Sequence, residues 1–206
     1  MRSLLFLVGL LMCVNLYGQK LVRKAFLDPR TETIQIDAEY CYRIDVSTSK
    51  DEEVHVSASM EGEYADDLLI SIEEKGTTAM VSADFQPLFV NPNDKLSAHK
   101  VVSIALEVQV PEYKNVQIFG TNSNVYAQGN YNKLNITLAD GICALENVSE
   151  NVEVTTQEGD ITLIAPSGDI IAKSNYGKVE TNSIPKGNNQ FILRSVEGNI
   201  YLKKTK

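Results

Sequence analysis

Five segments in the second half of the chain repeat one pattern. Each has two apolar residues two positions apart, a turn marked by Gly or Asn, and a second such pair. The segments span residues 116–127, 134–144, 152–163, 170–181 and 191–202, so their starts are separated by 18, 18, 18 and 21 residues. A fixed period near 20 residues is typical of a stacked β architecture, in which each unit buries its apolar face against the next.

Each unit predicts two short strands joined by a turn. In a strand, residues two apart share a face, so Val152 with Val154 and Ile161 with Leu163 are expected to point into the core. The turns are marked by glycines, which adopt positive φ without steric cost. These glycines are Gly141, Gly159, Gly177 and Gly198.

Two folds share this spacing. A meander of hairpins would pair neighbouring strands antiparallel, whereas a parallel β-solenoid would stack each unit on the one before it. A left-handed hexapeptide helix is excluded, because Glu158 lies where that helix needs an apolar residue six positions after Val152. The alignment of like residues in columns favours the parallel solenoid.

The first half of the chain predicts less regular β structure. Short runs between residues 33 and 110 alternate apolar with polar residues, and Pro111 ends the last of them. We therefore predict an all-β protein with a single domain over residues 19–206. In it, an irregular, partly antiparallel N-terminal part (19–111) caps a repeat part (112–206).

The ends of the repeat part should be capped differently. The N-terminal strands are expected to cover one end of the stack. The other end is expected at Leu202, followed by Lys203, Lys204 and Lys206, whose charges would discourage end-to-end stacking. Residues 19–30 read as a leader into the fold, and residues 86–95, rich in Pro and Asn, read as a loop.

Residues 1–18 have the composition of a secretory signal peptide. Arg2 precedes a short apolar run from Leu4 to Leu16, and Gly18 is a small residue before a predicted cut that leaves Gln19 first. Lipidation at Cys13 is the alternative, and it is disfavoured because Met12 stands where a lipoprotein signal carries a small residue. The chain is therefore predicted to be exported to the periplasm, the cell surface or the medium.

Charge disfavours nucleic acid as a partner. The formal net charge is −8, and Arg2 is the single charged residue before the predicted cut, so the exported chain carries 18 basic and 27 acidic residues, a net charge of −9. An acidic surface repels phosphate backbones and anionic lipid. No later run is long and apolar enough to span a membrane.

Two cysteines remain after the predicted cut, Cys41 and Cys143. Export makes a disulfide possible. The two residues lie far apart in sequence, and Cys143 is expected by alternation to point away from Ile142 and Ala144, toward the outer face. Two unpaired thiols are the favoured interpretation.

Residues with catalytic or metal-binding chemistry are scattered. His55 and His99 are the only histidines, and with Cys41 and Cys143 they lack the spacing of a zinc site. The acidic runs at 51–53 and 66–67 read as solvated turns. No nucleophile-elbow or phosphate-loop motif is present, so no cofactor and no metal are predicted.

Parallel β-helices also host polysaccharide lyases and hydrolases, so the outward positions matter. Such enzymes need two or more carboxylates that converge on one face. Each predicted outward column holds one carboxylate, Glu153 or Glu180, so no acidic cluster with an Arg or Lys partner is found. The columns read Gln117, Asn135, Glu153, Ile171, Ile192 and Tyr126, Cys143, Thr162, Glu180, Tyr201.

Aromatic and apolar outward residues are the best candidates for an interaction surface. Tyrosine offers contact area at little entropic cost, and two outward isoleucines suggest an apolar stripe. The candidates are Tyr126, Tyr131, Tyr176, Tyr201, Ile171 and Ile192.

The chain resembles the putative adhesin family of bacterial cell-envelope proteins, which is related to the auto-transporter adhesin head GIN domain. The resemblance covers residues 33–204. It is carried by VQVPEYKNVQI (108–118), by the repeated V-x-V-x(4)-G-[DN]-I-x-L pattern, and by the strand at 44–47. It implies a right-handed β-solenoid on an irregular β part, export in Bacteroidota-like bacteria, and no catalytic residues.

The resulting functional hypothesis is an exported, non-enzymatic module of the envelope that binds an unidentified envelope protein or glycan. A polysaccharide-acting enzyme on the same scaffold is one alternative. A periplasmic sensing or regulatory partner is the other.

Overall fold

The computed structural model describes residues 19–61, 67–86 and 103–205. These residues form strands and connecting turns, and they contain no α-helix. The strands are β1 (Gln19–Phe26), β2 (Thr33–Asp37), β3 (Cys41–Ser49), β4 (Glu53–Glu61), β5 (Leu68–Lys75), β6 (Thr78–Phe85), β7 (Ser103–Pro111), β8 (Asn115–Asn122), β9 (Asn124–Asp140), β10 (Ile142–Thr156), β11 (Asp160–Ala165), β12 (Asp169–Ser174), β13 (Val179–Thr181), β14 (Gln190–Ser195) and β15 (Ile200–Lys204).

The strands belong to one mixed sheet that lies in two rows. Row 1 runs β5, β6, β2, β8, the second half of β9, the second half of β10, β14 and β12. Row 2 runs β1, β4, β7, β3, the first halves of β9 and β10, β11, β15 and β13. Strands β9 and β10 are long enough to pass from one row to the other.

The sheet has antiparallel pairs among its N-terminal strands and parallel pairs elsewhere. The pairs β1–β4, β4–β7 and β5–β6 are antiparallel. All pairs that the described strands β8 to β15 form with one another are parallel, whereas an antiparallel meander would require the opposite. The all-β prediction is confirmed.

The core consists of inward side chains that repeat at equivalent positions. Val116, Leu134, Val152 and Phe191 lie side by side on four consecutive strands of row 1, and all are buried. Row 2 contributes an equivalent column that includes Ile161. Burial of each such side chain stabilises the fold by about 1.5–3 kcal/mol.

The order of the last two units differs from the prediction. Strand β14 lies between β10 and β12, and β15 lies between β11 and β13. The unit at 191–202 therefore inserts between those at 152–163 and 170–181. The prediction that each unit stacks on the one before it is wrong at this step. The connection at 182–189 is longer than the other connections between β8 and β15, which gives the chain length to turn back.

A comparable insertion occurs near the N-terminus. Strand β2 lies between β6 and β8, and β3 lies between β7 and β9. Strands from before and after Pro111 are thus hydrogen-bonded neighbours in both rows.

A ladder of turn glycines follows the same order. A Cβ atom on Gly159 would overlap the carbonyl oxygen of Gly141, one on Gly198 would overlap that of Gly159, and one on Gly177 would overlap that of Gly198. Each turn therefore packs its backbone against the turn of the next layer. These positions require glycine because the neighbouring carbonyl occupies the space of a side chain.

Two further expectations about strands are wrong. Residues 19–26 form β1, which pairs with β4 along its whole length, and are not a leader outside the fold. Cys143 points inward between Val125 and Ile161, and Ala144 takes the outward position. The segment around Cys143 alternates apolar residues in both registers, so a shift of one residue reverses its faces.

Both described cysteines are free and buried, as expected for unpaired thiols. Desolvation raises the pKa of the Cys41 thiol and of the Cys143 thiol to about 12.

Several sequence predictions concern residues outside the described ranges. These are the signal peptide at 1–18 with Cys13, the acidic residue Asp66, most of the predicted loop at 86–95, and His99. Within the described ranges there is no helix with the length and apolarity that a membrane span requires.

Candidate functional site

A concave surface with a volume of about 570 Å³ lies on the outer face of row 2. We call it the trough. Its floor is built from outward residues of six neighbouring strands, from β1 to β10. The principal lining residues are Val22, Arg43, Asp45, Ser47, His55, Ser57, Glu107, Gln109, Tyr126, Gln128, Ala144 and Glu146.

Strand register sets the order of these side chains. Ser57, Glu107, Asp45 and Tyr126 are successive partners across β4, β7, β3 and β9. A second line, one pleat further along, contains His55, Gln109, Ser47, Gln128 and Glu146. Adjacent strands are about 4.8 Å apart, so each line presents closely spaced polar groups to one ligand.

Arg43, Asp45 and Tyr126 form a pre-organised group in the trough. The guanidinium of Arg43 donates two hydrogen bonds to the Asp45 carboxylate, at 2.7 and 2.9 Å. The same guanidinium lies 4.7 Å from the centre of the Tyr126 ring. The hydrogen bond with Asp45 raises the pKa of Arg43 above its usual value, so the group stays charged. Held in this way, the Tyr126 ring loses little freedom on binding.

His55 contributes an unsatisfied polar atom. Its Nε2 is 3.2 Å from a carboxylate oxygen of Glu53, but the two are not aligned as a hydrogen bond. Nε2 is buried and has no hydrogen-bond partner in the part of the chain that the structure describes. Such atoms are uncommon in folded proteins and often mark functional positions.

The trough is acidic on balance. Among the described lining residues, Glu107, Asp45 and Glu146 supply three carboxylates, and Arg43 supplies a permanent positive charge. In the described part of the chain, no three His, Cys, Asp or Glu side chains are grouped closely enough to hold a metal ion.

The predicted surface residues lie at three separate places. Tyr126 lines the trough, and Tyr201 lies on the same face three strands further along the row, about 14 Å away. Ile171 and Ile192 are partners on the outer face of row 1. Tyr176, 82% exposed, lies in the turn between β12 and β13.

Tyr131 is not a surface residue, contrary to the prediction. It is 0% exposed. Its hydroxyl donates toward the carbonyls of Gln128 and Val46, at 2.9 and 3.2 Å. Tyr131 lies where β9 passes between the rows, so its ring fills the corner of the core. Burial raises the pKa of this phenol.

The residues of one predicted outward column are confirmed as neighbours in the sheet. Gln117, Asn135, Glu153, Ile192 and Ile171 are successive partners across row 1. Its single carboxylate, Glu153, accepts a hydrogen bond of 2.6 Å from Arg194. In the other column, Ala144 replaces Cys143.

Most of the trough was missed by sequence reasoning. Arg43, Asp45 and Ser47 alternate along one strand, which is the pattern of an outward polar face. That signal identifies the face of β3, but it does not reveal that β7 and β9 lie on either side.

Comparison with known proteins supports the fold. No protein-family model and no curated protein matches the sequence. Among solved structures, a putative cell adhesion protein from Clostridium sporogenes matches with a TM-score of 0.61 at 12% identity, over 92% of this chain and 100% of that one. The chain is thus similar in fold to a protein described as a cell adhesion protein.

Two further solved structures match at lower similarity. A putative adhesin from Bacteroides fragilis has a TM-score of 0.38 at 14% identity, over 92% of this chain and 99% of that one. A putative lipid binding protein from Parabacteroides distasonis has a TM-score of 0.28 at 12% identity, over 92% of this chain and 98% of that one. These scores are too low to support an argument.

Proposed function

We propose that this chain is an exported, non-enzymatic module of the bacterial cell envelope that acts like an adhesin, and that the trough binds its ligand. The observation that carries the proposal is the group formed by Arg43, Asp45 and Tyr126 in the floor of an open cavity of about 570 Å³. The resemblance to putative adhesins and the fold shared with a putative cell adhesion protein from Clostridium sporogenes support it.

The chemistry of the trough favours a neutral oligosaccharide as the ligand. Ser47, Ser57, Gln109 and Gln128 can each donate and accept hydrogen bonds, which suits sugar hydroxyls. The Tyr126 ring adds an amphipathic surface against which a sugar can pack. The acidic balance of the trough disfavours anionic glycans. Its volume lies in the ordinary range for small-ligand sites.

The architecture that we propose for this module is a right-handed parallel β-solenoid, capped at one end by partly antiparallel N-terminal strands, in a single domain over residues 19–206. The parallel registers from β8 to β15 and the glycine ladder support it. Removal of residues 1–18 on export would leave β1 at the start of the exported chain.

Binding to an array of neutral and anionic glycans, followed by calorimetry on the best ligand, tests the proposal. Tyr126→Ala should weaken binding by about tenfold or more, which corresponds to the loss of about 1.4 kcal/mol. Tyr201→Ala, on the same face outside the trough, is the matched control and should bind as the parent does. Equal losses in both variants, or loss in neither, would contradict the proposal.

A polysaccharide-acting enzyme is the second candidate, because Glu107 and Glu146 both line the trough. Glycosidases use a pair of carboxylates that flank the scissile bond. Release of reducing ends from the bound glycan, lost in both Glu107→Gln and Glu146→Gln while binding is retained, would establish this alternative and overturn the non-enzymatic proposal.

A further inference from the structure

One end of the stack is formed by β12 and β13, and we call it the open end. Among the described strands, β12 pairs with β14 alone and β13 with β15 alone. In each strand, the backbone N–H and C=O groups on the free edge therefore have no ladder partner. Such an edge is a template for another strand.

The open end also leaves apolar side chains uncovered. Ile170 and Ala172, on the inward side of β12, are only half-buried, whereas their neighbours Phe191 and Leu193 are fully buried. Ile171 is 60% exposed on the outer side of the same strand. A further strand added at this edge would cover all three.

We propose that the open end is a self-association surface, where two copies of this chain pair their β12 strands antiparallel about a two-fold axis at Ile171. In that register Asp169 of each copy faces Lys173 of the other. Ile170 faces Ala172 on the inner side, and the two copies of Ile171 meet on the outer side. All opposed residues share a face, as antiparallel pairing requires.

The charges of β12 are available for this pairing. Among the described residues, the side chains of Asp169 and Lys173 have no ion-pair or hydrogen-bond partner. Lys173 lies beside Arg194, whose guanidinium already bonds to Glu153 at 2.6 Å. The Asp169 carboxylate of a second copy would therefore form an ion pair with Lys173. This pair would also offset the repulsion between Lys173 and the neighbouring Arg194.

The sequence of β12 favours a second copy over an unrelated strand. The segment Asp-Ile-Ile-Ala-Lys carries opposite charges at positions symmetric about its centre, so it is complementary to itself when reversed. Strand β13 repeats this feature, because Lys178 and Glu180 flank Val179, all on exposed positions. In an ordinary two-fold dimer, the same surface of both copies forms the interface, and a contact from one residue to a second is repeated in the opposite direction.

Charge reversal tests the proposal on the exported form of the chain. Sedimentation velocity over a range of concentrations would compare the parent with Asp169→Lys, Lys173→Asp and the double variant. The parent should show a concentration-dependent dimer, and each single variant should associate at least about tenfold more weakly because like charges then face each other. The double variant restores both ion pairs and should dimerise again.

An equimolar mixture of the two single variants is the most specific experiment. In Asp169→Lys both charged positions of β12 are positive, and in Lys173→Asp both are negative. The mixture should form a heterodimer although neither variant dimerises alone. Glu73→Lys on β5, an equal charge change at the far end of row 1, is the matched control and should dimerise like the parent. Circular dichroism checks that each variant is folded.

A monomeric parent at all concentrations would overturn the proposal, as would single variants that dimerise normally or a mixture that stays monomeric. Dimerisation lost in Glu73→Lys as well would show that another surface is responsible. Glycan binding in the trough involves different residues, so either proposal can fail without the other.

Discussion

Both ends of the stack are formed by edge strands, but the two ends differ in how well those strands are covered. At the end formed by β1 and β5, which we call the closed end, Leu68 and Ile70 are 2% and 3% exposed although they lie on an edge strand. Arg23 of β1 donates a hydrogen bond of 2.6 Å to the Ile70 carbonyl and so ties the rows together. At the open end, Ile170 is half-buried and Val179 is 38% exposed.

This difference shows what a parallel stack cannot do by itself. Each added parallel layer buries the layer beneath it and presents the same apolar pair and the same free backbone edge again. The closed end does not repeat this arrangement, because β1, β4 and β5 run antiparallel to their neighbours and carry a different side-chain pattern. We therefore propose that the distinct N-terminal sequence acts as the cap that repetition cannot supply.

Truncation of an isoleucine on each edge strand of row 1 should have the largest effect. Ile70→Ala should lower the free energy of unfolding by about 3 kcal/mol, because it leaves a cavity at a buried site. Ile170→Ala, on the edge strand of the open end, should cost about 1 kcal/mol, because that side chain is only half-buried. Urea denaturation monitored by circular dichroism measures both. Equal losses would mean that the open end is covered as well as the closed one.

Glycine substitutions come next in expected size. Gly159→Ala should lower the free energy of unfolding by about 2–3 kcal/mol, since its layer is held between those of Gly141 and Gly198. Gly177→Ala meets the Gly198 carbonyl in the same way, but its layer has no neighbour beyond it and can move outward. Its cost should be about 1 kcal/mol. A Gly177→Ala cost as large as that of Gly159→Ala, in the same denaturation assay, would contradict this.

Thiol labelling should give a smaller, kinetic difference between the ends. Burial raises the pKa of both described thiols to about 12, so near pH 8 neither should react while the protein is folded. In mild denaturant, fraying from the open end reaches Cys143 before Cys41, which lies in a layer near the closed end. Labelling followed by mass spectrometry of the peptides should find Cys143 modified first. Faster modification of Cys41 would mean that the closed end opens more easily.

The smallest effect concerns a turn near the closed end. Hydrogen bonds from Arg30 lower the pKa of Asp28 from 3.8 to about 2. Because the folded pKa is lower than the unfolded one, this pair stabilises the fold above pH 4 and loses its effect as the pH falls toward 2. The pair is exposed, so the contribution to stability is small. An NMR titration should place the Asp28 midpoint near 2, and Arg30→Gln should return it toward 3.8. An unchanged midpoint in that variant would exclude Arg30 as the cause.

The columns of the repeat could be predicted from the sequence because alternation fixes which residues share a face. Glu153 and Ile192 were placed in one outward column, and they are direct partners. The order of the layers could not be predicted in this way. Units with the same apolar pattern fit equally well beside one another, so periodicity does not identify which neighbour each has.

The trough could be predicted only in part, for a related reason. Tyr126 was found because it is an outward aromatic residue in the repeat, whereas Arg43 and His55 belong to strands from the N-terminal part. Their meeting depends on the pairing of β3 with β9 and of β4 with β7, which are contacts between distant segments. Tyr131 was misplaced because its position is at a corner, where strand alternation does not decide burial.

Disulfide cross-linking tests the layer order, on which the open end depends. Glu153→Cys with Ile192→Cys places two thiols on adjacent strands, about 4.8 Å apart, whereas Glu153→Cys with Ile171→Cys separates them by two strands, about 10 Å. The separation in the second pair is too large for a disulfide. Oxidation followed by mass spectrometry should find the cross-link in the first pair and not in the second. A cross-link between positions 153 and 171 alone would mean that the units stack in sequence order and that β12 and β13 do not form the end.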